Sequence, residues 1–253
     1  GHHCRRFPHP MIFHSSLKEE DGFSQSRLPQ RAVNGTGTDF PALLKAVKAL
    51  PDSVFWEECF SRNWISKKYT PERMLALGQM ASDCGEEYAE KYRGELAGGS
   101  MLELCRKNGI TVRELTIPQS PAMELFGLFE SPNTISIRAD LLQECDDYVK
   151  AAGISAVLDG VSCGEVLLAH EFFHFLECKY EACIFTCTYT EPQGLFAVPR
   201  NVPPLGEIAA MSFAKHLFRL SWNPFMLDCV MMSMDNLPAA AVIAERLLRF
   251  NRL

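Results

Sequence analysis

Five consecutive residues, His170-Glu171-Phe172-Phe173-His174, hold the chemistry that the rest of the chain has to position. On a helix, imidazoles at i and i+4 lie one turn apart on the same face, where both can reach one metal ion. Glu171 points partly around the helix, close enough to meet a water activated by that ion without taking a coordination position. Such an arrangement suits hydrolysis. A chain with 7 His and 31 acidic residues among 253 positions gives roughly 0.02 His-acid-x-x-His matches by chance. Context must therefore decide between a metal pair and two core histidines satisfied by hydrogen bonds.

The context begins with Ser162 and Glu165, an S-x-x-E pattern that predicts a capping box and a helix over about residues 163–178. Leu167, Leu168, Phe172, Phe173, Phe175 and Leu176 make that helix apolar almost all round, hence buried. A hydrolytic zinc site takes three protein ligands and leaves one position for water. Glu207 is the best third candidate, an acid in the first turn of a helix expected to begin at Leu205-Gly206-Glu207 in otherwise apolar surroundings. Its alternative reading is an acid favoured by a helix N-terminus. Glu177, on the same face as His174, is the rival ligand. Donors from a single helix converge poorly, so a role orienting a ligand suits it better.

The elements around the motif predict a mostly helical α+β fold. Residues 1–38 read as a disordered tail with a Gly/Thr-rich stretch at 34–38, and its His2, His3, His9 and His14 are set aside from the site. Residues 39–69 read as a helical N-terminal extension. Leu43, Leu44, Val47 and Leu50 form its first stripe, and Phe55, Trp56, Phe60 and Trp64 its second. Thr70-Pro71 starts a helix reaching about Tyr92, and Ser100 caps a shorter one closed by Asn108-Gly109.

From there to the motif the period changes. Residues 110–115, 125–129 and 134–138 alternate like strands around turns at Pro118–Pro121 and Ser131-Pro132-Asn133, predicting a small three-stranded, largely antiparallel sheet. A helix from Asp140 through Val149 leads to the Ser162 cap. Tyr180 to Pro204 reads as an irregular loop beside the site, and helices follow from Leu205, at about 224–233 and at about 238–250.

A net charge of −6 and a pI near 5.7 offer no basic footprint, which argues against direct nucleic-acid binding. The chain has neither an apolar run of membrane-spanning length nor a signal-peptide core, and a cytoplasmic protein is the expectation. The 10 cysteines are scattered, as small buried thiols are in a reducing compartment. Cys178, Cys183 and Cys187 cluster after the motif and are weighed as a second metal or redox site against reduced structural thiols.

Residues 205–214, Leu-Gly-Glu-Ile-Ala-Ala-Met-Ser-Phe-Ala, resemble the E-x-x-A-x-x-F-A helix that follows H-E-x-x-H in ImmA/IrrE-type metallopeptidases. The hairpin, helix and metal-helix order is similar too, and the resemblance spans roughly residues 70–252, so residues 70–253 are assigned to that domain. It implies a zincin-like fold with zinc held by His170, His174 and Glu207, and Glu171 as general base. It also implies a protein or peptide substrate, such as a transcriptional repressor cut at one site. The chain departs from the family pattern at Phe173, where a small residue is common, and at Met211, where an asparagine is frequent. Residues 1–69 show no helix-turn-helix of the kind fused to many relatives.

Two imidazoles and a carboxylate suit Zn2+ best and also accept Mn2+, Fe2+ or Co2+. A zinc-stabilised interaction protein, its fourth position filled by Cys178 or Cys183, is the alternative from another class. A sensor gated by the segment around Trp56 and Trp64 is a further one.

Overall fold

Capping chemistry sets the first helices. In the computed structural model, which describes residues 12–14, 39–115, 123–193, 196–199 and 201–250, α1 (Phe40–Lys48) starts at Asp39, whose Oδ1 accepts from the Ala42 amide at 3.0 Å. After Pro51 comes α2 (Asp52–Ser61), then a 3-10 turn over Trp64–Lys68. Thr70 caps α3 (Pro71–Leu96), with Pro71 at the first position where a missing N–H costs nothing. α4 (Met101–Lys107) carries a reciprocal box. The Ser100 hydroxyl accepts from the Glu103 amide at 3.3 Å, and the Glu103 carboxylate accepts from the Ser100 amide at 3.1 Å. Gly109, at φ +73°, turns the chain out of it.

Five short strands lie in the described residues before the helix of the His170–His174 motif, β1 (Ile12–His14) ahead of α1 and, after α4, β2 (Thr111–Glu114), β3 (Met123–Leu125), β4 (Gly127–Glu130) and β5 (Thr134–Ile137). β1 is what is described of the expected tail, and it pairs antiparallel with β3. The stretch at 34–38, His2, His3, His9, Cys4 and the turn at Pro118–Pro121 lie outside the described residues.

The three-stranded sheet has the order β2-β5-β4 and is mixed, which corrects the largely antiparallel expectation. β4 and β5 form the expected hairpin, with Gly127 opposite Ile137 and Glu130 opposite Thr134. β2 instead runs parallel to β5, with Thr111 opposite Thr134. Alternating residues mark a strand but not its neighbour. Here the chain leaves β2, passes through β3, lays β4 at the far edge of the sheet and returns in β5 between β2 and β4, so β2 and β5 point the same way. The single strand expected over residues 125–129 is divided at Phe126 between β3 and β4.

α5 (Ala139–Ala151) leads to α6 (Cys163–Lys179), the helix of the motif. The box expected from Ser162 and Glu165 does not form. Ser162 Oγ accepts from the Gly164 amide at 3.1 Å and donates to Asp146 Oδ2 at 2.6 Å, while Asp146 Oδ1 takes the Cys163 amide at 2.7 Å. Glu165 is drawn away to the first amide of α4, Met101, at 2.9 Å. A tertiary carboxylate thus replaces the local one, and the helix still starts where the cap predicts.

The segment expected to be irregular holds α7 (Phe185–Thr188) and a hairpin of β6 (Thr190–Gln193) with β7 (Phe196–Pro199). α8 (Pro203–Phe218) begins at the two prolines, earlier than the expected Leu205, because proline is well suited to the first turn. α9 (Leu227–Asp235), entered through a 3-10 turn at Pro224–Met226, and α10 (Leu237–Phe250) complete the described chain.

α6 lies at the centre, between the β4 edge of the sheet, α5, α4 and α8. Residues from Val166 through Glu177 are all buried, matching its unbroken apolar character. α8 lies along both α6 and α3. Its approach to α3 is close enough that Ser212 Oγ donates to the Ser82 carbonyl at 2.7 Å, and a Cβ at Gly85 would stand 2.2 Å from the Ala209 carbonyl oxygen. Leu44 and Val47 of α1 and Phe55 and Phe60 of α2 belong to the same hydrophobic cluster as α6 and α8. None of the described helices is long and apolar enough to cross a membrane.

Candidate metal centre

α6 projects His170 and His174 from one face, and α8 brings Glu207 across to meet them. The imidazole rings are 4.8 Å apart between centroids at an interplanar angle of 82°. Their Nε2 atoms are 3.1 Å apart. Glu207 Oε2 is 3.5 Å from His170 Nε2, and Glu207 Oε1 is 3.7 Å from His174 Nε2. Donors placed tetrahedrally around zinc at its usual bond lengths would be about 3.3 Å from one another. The observed separations straddle that value, so the three side chains fit a tetrahedral ion with one position left over. Among the described residues, His170, His174 and Glu207 are the group of three or more donors close enough to hold a metal.

The early start of α8 bears on Glu207. It lies in the second turn, and no acid occupies the first. The reading of Glu207 as an acid placed to suit a helix N-terminus therefore loses its basis, since that effect fades beyond the first turn. Its helix position is instead the one that aims a carboxylate at the two imidazoles.

Glu177 does not join the group. Its Oε2 accepts from His174 Nδ1 at 2.8 Å, one turn along α6, which leaves His174 Nε2 facing the site. The other carboxylate oxygen accepts from the hydroxyl of Thr186 on α7. Glu177 and Thr186 are 6% and 4% exposed, so this chain of contacts is shut away from solvent.

Glu171 is wholly buried, and neither carboxylate oxygen has a hydrogen-bond partner of ordinary geometry. It lies against Gly127 of β4, where an added Cβ would come within 3.2 Å of Oε1. Burial pushes its carboxyl up to about 7, with the Glu207 charge adding to the rise and His174 and the Phe129 amide opposing it. A buried carboxylate with no strong partner is costly unless a ligand or water completes it.

Burial likewise raises Glu207 to about 7, against the pull of His174, while Glu177 and Asp228 push it up and Arg62 opposes them. Burial works against a charge on His174, but its hydrogen bond to Glu177 and the Glu207, Glu177 and Glu171 charges outweigh it and lift the imidazole to about 9. Side-chain exposure rises across the group from 0% at His170 through 7% at His174 to 23% at Glu207. The site therefore meets solvent on its α8 side.

The cysteines expected as an alternative cluster do not converge. Cys178 Sγ is 3.4 Å from Ser131 Oγ, Cys187 Sγ donates to the Glu177 carbonyl at 3.6 Å, and Cys183 is exposed. None of the three is in a disulfide. Thr186 is the member of the site that the sequence did not reveal. Its signal, one threonine in a Thr-rich loop, becomes legible only once α7 folds back on α6.

No protein-family model, curated protein or solved structure matches the chain.

Proposed function

We propose that this chain is a zinc-dependent peptidase of the zincin type, acting on a cytoplasmic protein or peptide substrate. The observation that carries the reading is the spacing of three donors from two helices at tetrahedral distances, with a buried and poorly partnered Glu171 on the same helix. Zn2+ suits the donor set best. The resemblance of residues 205–214 to ImmA/IrrE-type peptidases supports the same assignment and suggests a regulatory protein, such as a transcriptional repressor, as substrate.

When bound, zinc would polarise the scissile carbonyl and bring the pKa of water toward about 7. The protein's own groups do the rest. Glu171, raised to about 7, takes a proton from the attacking water and returns it to the leaving amine. Glu177 holds the His174 ring with Nε2 toward the site. Glu207 supplies a negative charge that offsets part of the cation's.

A second reading, a zinc-stabilised protein without turnover, draws on the burial of His170 and Glu171. It calls for a fourth protein donor, and Cys178 and Cys183 are engaged or exposed elsewhere. Elemental analysis of the wild type, His170→Ala and Glu207→Ala, paired with digestion of a peptide library, separates the readings. The peptidase reading expects one zinc per chain, its loss in both variants, and cleavage by the wild type. Zinc without cleavage of any peptide would favour the second reading, and a folded wild type that takes up no metal would overturn both.

A further inference from the structure

Glu177 is the meeting point of three elements. From α6 its Oε2 accepts from His174 Nδ1 at 2.8 Å, and from α7 its Oε1 accepts from the Thr186 hydroxyl. From α8, Gly206 comes so close that an added Cβ would stand 3.1 Å from Oε1 and 3.4 Å from Oε2. Gly206 is the residue before Glu207, so the same carboxylate touches one candidate ligand directly and abuts the backbone that carries another. α7 is itself fixed, because Cys84 of α3 meets the backbone amides of Phe185 and Thr186, and the Cys187 thiol donates to the Glu177 carbonyl at 3.6 Å.

We infer that Thr186 and Gly206 are positioning residues of the metal centre, holding Glu177 as the partner of His174. A buried carboxylate has to place both oxygens. The Thr186 hydroxyl on Oε1 fixes the plane of the carboxylate so that Oε2 meets His174 Nδ1, and the imidazole presents Nε2 to the site. Without the hydroxyl the carboxylate loses that anchor and holds the His174 ring less firmly. Gly206 acts from the other side by leaving the space in which the carboxylate lies. The inference rests on the metal-site reading above and deepens it.

The test is zinc affinity, measured by competition with a chromophoric chelator, in the full chain. Loss of a group that orients a metal-bound histidine weakens binding by about 10- to 100-fold. Thr186→Val, which keeps the shape and removes the hydroxyl, is expected at about the tenfold end of that range. Thr186→Ser restores the hydroxyl and is expected to bind as the wild type does. Gly206→Ala, which crowds the same carboxylate from α8, is expected to weaken binding as well. Thermal unfolding of the chelator-stripped variants distinguishes a local effect from a general loss of fold. If Thr186→Val proves unstable, Gly206→Ala and Thr186→Ser carry the comparison.

Wild-type affinity in both Thr186→Val and Gly206→Ala, or a Thr186→Ser variant as weak as Thr186→Val, would overturn the inference while leaving the metal site standing. A wild type that binds no zinc would instead overturn the site reading itself.

Discussion

At the scale of single residues, the candidate site is a set of groups whose protonation and geometry depend on one another. Glu171 and Glu207 are raised to about 7 from an ordinary 4.5, and His174 to about 9 from 6.5. All three shifts mean that the folded, chelator-stripped protein holds more protons than the unfolded chain. Their contribution to stability is present at low pH and is lost as pH rises, first through about 7 for the carboxyls and then through about 9 for the imidazole. Zinc competes with those protons, so added metal should reverse the trend. The expected outcome is a melting temperature of stripped protein that falls from about pH 5 to about pH 9, with zinc giving its largest increase at the alkaline end. A stripped protein that gains stability over that interval would contradict the assignment. Glu171→Gln removes the proton acceptor and keeps the volume, so it should bind zinc like the wild type and lose turnover by about 100-fold or more. Peptide digestion beside metal analysis checks both halves. These residues were the most legible part of the sequence: His170, His174 and Glu171 were read from the i, i+4 spacing together with the capped, apolar helix around it. Glu207 was the best of the candidates as an acid in an apolar helix, a choice the resemblance of residues 205–214 strengthened, and Thr186 could not be found, because its meaning depends on a fold-back that no local pattern encodes.

At the scale of elements, the two helices that carry the site are held by different devices. α6 starts at Ser162 as the cap residue predicts, but Asp146 from α5 rather than Glu165 completes the cap, because Glu165 is engaged by the start of α4. A capping box is a local pattern, and a tertiary partner can override it while leaving the boundary unchanged. α8 is placed by its contact with α3. At Gly85, a methyl group would stand 2.2 Å from the Ala209 carbonyl oxygen and 2.8 Å from the Phe213 amide nitrogen, both of them backbone atoms that cannot rotate aside. Gly85→Ala therefore has to push α8 away from α3, at a cost of about 3 kcal/mol. Chemical denaturation measures that loss. Because α8 carries Glu207, zinc affinity should drop in the same variant, although residue 85 touches none of the ligands. An alanine tolerated without loss of stability would show that the helices have more freedom than this packing allows. The sheet was the least legible element. Its strands were found by alternation, but the parallel β2–β5 pairing depends on the route of the chain between them, which alternation does not record.

At the scale of the whole molecule, the N-terminal helices share the core that surrounds the site. Leu44, Val47, Phe55 and Phe60 are buried in the cluster that contains α6 and α8. Polar ties reinforce that union: Lys215 of α8 reaches Asp52 at 2.6 Å, and Arg62 joins Glu58 to Asp228 of α9, each at 2.6 Å. Glu58 and Asp228 are 5% and 9% exposed, so losing Arg62 would take the cation from the buried Asp228 and leave Glu58 with Arg246 alone, at 3.7 Å. A chain beginning at residue 70 would expose this apolar surface, and the expected outcome is an aggregating or molten product rather than a peptidase released from control. Size-exclusion chromatography and thermal unfolding of residues 70–253 decide the point. A well-folded, active product would support the reading of the segment around Trp56 and Trp64 as a gate. The rise in exposure from His170 to Glu207 has a kinetic consequence as well. An ion seated here would meet a chelator first on the Glu207 side, where the donors are most exposed. The expected outcome is that a chelator in large excess strips it at a rate set by local opening at Glu207, a rate that stops rising as more chelator is added.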